Sequence, residues 1–190
     1  KYPFLKRKQR KVQMNIVFWG KEHQSGTTVH MLAVAGMLRT ICGEERVITG
    51  RFLRNGQSEY AVSDCGVGLG GRRQHFLWNA DIAVVNLKAK RRNISRFFDE
   101  DFHIAKNMMF LLGGCHKEDG VDASYLHRIY RIEPERVIVI PYNAAFAEAI
   151  GEGNSDAFIK REQAAPTTLL NEQFIGSVRQ VAVRLINGFV

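Results

Sequence analysis

The chain has 190 residues, with 27 Lys and Arg against 19 Asp and Glu, and a formal charge of +8. That length suits one domain with its own core, and 45% apolar with 24% charged residues excludes a disordered or fibrous chain. Three cysteines without paired spacing (Cys42, Cys65, Cys115) exclude a disulfide framework and point to a reducing, cytoplasmic setting; no apolar run reaches the roughly 18–20 residues of a transmembrane segment.

The first thirteen residues, KYPFLKRKQRKVQ, carry Lys1, Lys6, Arg7, Lys8, Arg10 and Lys11 and no acid. Without those six, 21 basic residues face 19 acidic ones, and the balance is only +2. Residues 1–13 are therefore expected to be a basic arm, a tag or a linker ahead of a single domain over 14–190. From there, apolar and β-branched runs alternate with helical stretches. The pattern predicts a strand at 15–19, a helix at 27–41, strands at 46–49 and 60–63, and a helix at 72–78. A strand at 81–87, a helix at 94–99, a strand at 108–112, a helix at 123–130, a strand at 136–140 and helices at 144–150 and 168–187 follow. Several strands are apolar without alternation, as expected where helices cover both faces of a sheet. In the last helix Leu170, Phe174, Val178, Val181 and Leu185 form an apolar stripe, which favours packing on the sheet over membrane contact; Thr167 or Thr168 can cap it and Gly188 can end it. The fold class is α/β: a mostly parallel sheet flanked by helices on both faces, a three-layer arrangement.

The informative segment follows the first strand. Residues 15–28, NIVFWGKEHQSGTT, run from strand through a glycine-containing loop into a helix, the layout of a phosphate-binding loop. Backbone N–H groups and the helix N-terminus converge there on phosphate oxygens. Gly26 allows close backbone approach, Ser25 and Thr27 flank it, and the Thr28 hydroxyl can ligate a phosphate-bound magnesium. The lysine of a strict GxxxxGK[ST] pattern is absent, since Thr27 follows Gly26. A strand–turn–helix with a threonine cap is the plain alternative. Asp64, at the end of the third strand and ahead of Cys65-Gly66-Val67-Gly68, can hold magnesium-bound water if that strand neighbours the first. Otherwise it simply starts a turn.

Together with residues 79–86, NADIAVVN, and 136–143, RVIVIPYN, followed by 146–153, FAEAIGEG, these segments resemble the ParA/MinD family of P-loop ATPases, in a shortened form. The resemblance spans about residues 14–158. It implies ATP or ADP with Mg2+ as cofactor, with Lys21, Ser25, Gly26, Thr27, Thr28 and Asp64 around the phosphates and Thr28 and Asp64 toward the metal. It places Pro141, Tyr142 and Asn143 on the adenine side; Asn143 is also a natural helix cap. It further implies a homodimer and a non-specific DNA or protein partner, in positioning, partitioning, or assembly of a pilus- or secretion-like machine. The departures are specific. Glu22 stands at the signature lysine, Thr27 at the phosphate-binding lysine, and Lys21 is one residue out of register. The segment before Asp64 is short, and Glu44, Glu45 and Glu59 are its only carboxylates, none an evident switch acid. Hydrolysis should then be very slow or absent.

Two smaller signals remain. Lys88, Lys90, Arg91, Arg92 and Arg96 form the densest basic cluster beyond the amino-terminal arm, either a nucleic-acid patch or a solvated helix start. Residues 66–71, GVGLGG, match GxGxxG, which admits a dinucleotide-dependent oxidoreductase as a rival; a nucleotide-free interaction scaffold on the same fold is another.

Overall fold

The computed structural model describes residues 13–50, 58–68, 72–99, 104–114 and 121–188. The basic stretch 1–12, Cys115 and residues 69–71 of the glycine segment lie outside them.

The elements run β1 (Met14–Gly20), α1 (Thr27–Cys42), β2 (Val47–Gly50), β3 (Tyr60–Val67), α2 (Arg72–Trp78), β4 (Ile82–Lys88), α3 (Arg91–Phe98), β5 (Met108–Gly113), α4 (Ala123–Tyr130), β6 (Val137–Ile140), α5 (Ala144–Gly151), α6 (Ser155–Ala164) and α7 (Leu169–Asn187). The six strands form one sheet in the order β2-β3-β1-β4-β5-β6, with every neighbouring pair parallel. All strand carboxyl ends therefore emerge along one edge.

Period-two alternation divides the core into two layers. Ile16 and Phe18 of β1, Ile82 and Val84 of β4, and Met109 and Leu111 of β5 pack with α1, α5, α6 and α7. Their alternates Val17, Trp19, Ala83, Val85, Met108 and Phe110 pack with Leu77 of α2, Ile94 and Phe97 of α3 and Leu126 of α4. The central strands β1, β4 and β5 must thus be largely apolar on both faces, which is why β1 reads MNIVFWG without a polar side.

Four details differ from expectation. Strand β3 continues to Val67, past its predicted end at residue 63, so Asp64 lies inside the strand rather than at its end. Helix α3 begins at Arg91 rather than at residue 94, so Arg91 and Arg92 sit in its first turn. Helix α6, SDAFIKREQA, was not predicted: Phe158 and Ile159 are its core contacts, and Glu162 turns inward among charged neighbours. In α7, Leu170 leaves the predicted stripe and is exposed, because Asn171 takes the inward position of the first turn. Thr168 supplies that helix's cap, accepting from the Asn171 backbone N–H, and Gly188 ends it. Among the described residues, no helix is long and apolar enough to cross a membrane.

Candidate functional site

From β1 the chain crosses to β2 on one side, and from β3 it returns past β1 to β4 on the other. The strand order reverses at β1, and the crevice at that carboxyl edge is where ligands of open α/β sheets bind. The loop 21–26 occupies this position. Gln24 and Gly26 both adopt left-handed backbone conformations, φ 63° and 83°. Gly26 precedes α1 without a side-chain cap, and the helix has no acid in its first turn. Its leading N–H groups and the positive end of its dipole are thereby left to a ligand or to water.

Inside the loop, Ser25 Oγ and Thr27 Oγ1 lie 2.9 Å apart and are buried. Both hydroxyls press on Gly20; a Cβ there would come within 2.1 Å of Ser25 Oγ and 2.5 Å of Thr27 Oγ1. Thr28 instead reaches outward, donating from Oγ1 to Asp64 Oδ2 at 2.6 Å. Pairing of Phe18 with Asp64 and of Gly20 with Val67 places a bulge in β3 beside the loop, and Asp64 Oδ1 accepts from the Gly66 N–H at 2.7 Å. The turn geometry and the loop-facing carboxylate are thus features of one residue. Asp64 is only 7% exposed.

Lys21 lies elsewhere: its Nζ donates to the Arg96 carbonyl at 2.7 Å and sits 5.9 Å from the centre of the Phe97 ring. Glu22 accepts from Asn93 Nδ2 and faces Arg96 at 3.7 Å. Neither residue substitutes for a loop lysine; together they tie the loop to α3. The basic cluster separates accordingly. Lys90, Arg91, Arg92 and Arg96 are exposed on and before α3, with Arg91 stacked over Tyr125 at 5.5 Å. Lys88, half-buried at the end of β4, faces the loop instead and lines a cavity of about 260 Å3 with Gly26, His30 and Gly113.

His30 was not singled out by the sequence, although it lies one helical turn after Gly26 and so on the same face. Its Nδ1 is 2.8 Å from Asn86 Oδ1, while Asn86 Nδ2 donates to the Trp19 and Val84 carbonyls. Those two bonds fix the amide with Oδ1 toward the ring, so Nδ1 carries the hydrogen and Nε2 is an acceptor. Burial lowers the His30 pKa from the usual histidine value, against the opposing effect of Asn86, and the imidazole is neutral. Its Cε1–Nε2 edge lies between two glycines: a Cβ on Gly113 would stand 2.5 Å from Cε1, and one on Gly26 2.9 Å from it.

Across the cavity, Pro141 and Tyr142 follow β6, with Tyr142 67% exposed at the rim. The Asn143 side chain is fully engaged: Oδ1 accepts from the Phe146 N–H at 2.8 Å, capping α5, and Nδ2 donates to Asn171 Oδ1 at 2.7 Å. Asn171 in turn donates to Thr167 Oγ1, and Thr167 donates from N and Oγ1 to Glu162. Glu162 is wholly buried. Burial pushes its carboxyl upward, but hydrogen bonds from Thr167, Asn171 and Arg161 outweigh that and hold it below the usual range. Nothing in the sequence flagged this network, because its members come from three separate elements.

No family model and no curated protein sequence matches the chain. Among solved structures, it is similar to a ParA family ATPase from Chlorobium tepidum TLS, with a TM-score of 0.65 and 9% identity over 90% of this chain and 99% of that one. The fold is therefore ParA-like.

Proposed function

We propose that the chain is a ParA/MinD-like nucleotide-binding protein that hydrolyses ATP very slowly or not at all, and that it acts in positioning, partitioning or assembly. The observation that carries this reading is the Thr28–Asp64 contact. A helix-start hydroxyl and a carboxylate at the bulge of β3 meet at 2.6 Å beside an uncapped helix N-terminus. Both are hard oxygen donors of the kind magnesium prefers, so Thr28 and Asp64 fit a metal held together with phosphates. Magnesium would neutralise phosphate charge there. The loop from Ser25 to Thr28 would hold ATP or ADP through backbone donors, with Pro141 and Tyr142 on the base side. Asn143 would shape that side through its cap.

Slow hydrolysis follows from charge and positioning, which dominate phosphoryl transfer. Thr27 offers a hydroxyl where a lysine would be, and Lys21 is engaged by α3. The exposed residues Lys90, Arg91, Arg92 and Arg96 support a non-specific DNA or acidic protein partner. A homodimer and a reducing, cytoplasmic setting belong to the same proposal.

Calorimetric titration with ADP and ATP, with and without magnesium, tests it. Binding that strengthens with magnesium and loses that gain in Thr28→Ala is the expected result. Absence of nucleotide binding overturns the reading, and brisk phosphate release overturns the slow-hydrolysis part. A nucleotide-free scaffold is favoured by one observation, the Ser25 and Thr27 hydroxyls lying over Gly20, and the same titration decides between the two.

A further inference from the structure

The cavity beside the loop has an unbalanced set of charges. The Lys88 ammonium makes no hydrogen bond or ion pair with another described residue, although the residue is half-buried. It stands at the last pair of β4 with β5, opposite Gly113, and Gly113 packs against His30. The start of α1 adds its own positive end to the same cavity, with no acid in its first turn. No carboxylate is among the described residues that line the space. A cation and a helix N-terminus on one cavity repel each other until an anion separates them.

The second observation is independent of charge. His30 is 5% exposed, and its Nε2 finds no partner among the described residues while the ring borders the cavity. That acceptor opens onto the cavity, where a ligand hydroxyl or amino group can donate to it. A nucleoside phosphate carries both the anion and the donor.

We infer that Lys88, reaching in from the end of β4, is the phosphate-binding cation of this site, replacing from a neighbouring strand the lysine that the loop lacks. The inference rests on the nucleotide reading above. It changes which residue recognises the phosphate, and it divides the basic cluster: Lys88 belongs to the small-ligand site, and Lys90, Arg91, Arg92 and Arg96 to the surface of α3.

The test measures binding of inorganic pyrophosphate without magnesium, and of ADP with it, to the full chain and to Lys88→Ala, Lys88→Gln, Lys88→Arg and Lys90→Ala. Lys90→Ala removes the same charge two residues away from an exposed position. Losing a charge-assisted contact should weaken both ligands about tenfold or more in Lys88→Ala and Lys88→Gln. Lys88→Arg should stay within about threefold of the parent and Lys90→Ala within about twofold. If truncation to alanine disturbs the strand, the contrast between Lys88→Gln and Lys88→Arg still decides. A parent that binds while Lys88→Gln binds equally well overturns the inference and leaves the nucleotide reading intact. Equal losses in Lys88→Gln and Lys90→Ala also overturn it, since the effect is then overall charge. Lys88-dependent pyrophosphate binding without any ADP binding sustains the cation site and defeats the nucleotide reading. A parent that binds neither ligand overturns both.

Discussion

The two sides of the cleft are held by different kinds of bond. On the α3 side, the loop is fastened by Lys21 and Glu22, and their partner Arg96 has a side chain 69% exposed. On the α7 side, Asn143, Asn171, Thr167 and Glu162 form a chain whose terminal carboxylate has no exposure. Exposed ion pairs add little net stability and exchange readily with water, whereas a satisfied buried network is costly to break. The base side is therefore the fixed reference of the site, and the loop is the part that can adjust to a ligand.

The most direct way to break this contrast is Glu162→Ala. It strands the Thr167 N–H and hydroxyl, and it should cost about 3 kcal/mol in urea denaturation. Acid should do the same more gently. The folded pKa of Glu162 lies below the usual 4.5, so its carboxylate stabilises the fold fully above that value. That contribution is lost as pH falls from about 4.5 through the lowered folded value, and Glu162→Gln should flatten this part of the stability profile. Gly113→Ala comes next. The added methyl meets His30 Cε1 at 2.5 Å, and overpacking of this kind costs about 1–3 kcal/mol. Thr28→Ala should change stability by about 1 kcal/mol or less while weakening magnesium-dependent nucleotide binding about tenfold. Glu22→Gln has the smallest expected effect: stability within about 0.5 kcal/mol of the parent, with pyrophosphate affinity rising slightly at low salt. A loss at Glu22 as large as that at Glu162 would erase the difference between the two sides.

Much of the architecture was legible because it depends on local patterns. Runs such as MNIVFWG and MMFLLG are apolar on both faces and can only be strands covered from both sides. Helix α6 was hidden because its inward positions, Phe158, Ile159 and Glu162, include a carboxylate that is tolerable there only through Thr167, which follows the helix. In the site, Thr28 and Asp64 could be proposed together because a loop after one strand and an acid late in another meet if those strands pair, and β1 does pair with β3. Lys88 and His30 could not be given their positions in advance. That requires knowing that β4 flanks β1 on its other side and that Asn86 orients the imidazole. Lys21 shows the reverse: close in sequence to the loop, it is directed by Arg96 and Phe97 toward a different helix.

The position of β1 also bears on how the chain is made. Its two sheet neighbours are β3 and β4, beginning at Tyr60 and Ile82, so this largely buried apolar strand is synthesised well before either partner exists. During that interval both its hydrogen-bonding edges and both its faces are open to other chains. Recovery of native protein from denaturant should therefore fall as concentration rises, and polar substitution at Trp19 would relieve aggregation only by sacrificing the core. The strand that creates the ligand crevice is also the one most dependent on prompt completion of the sheet.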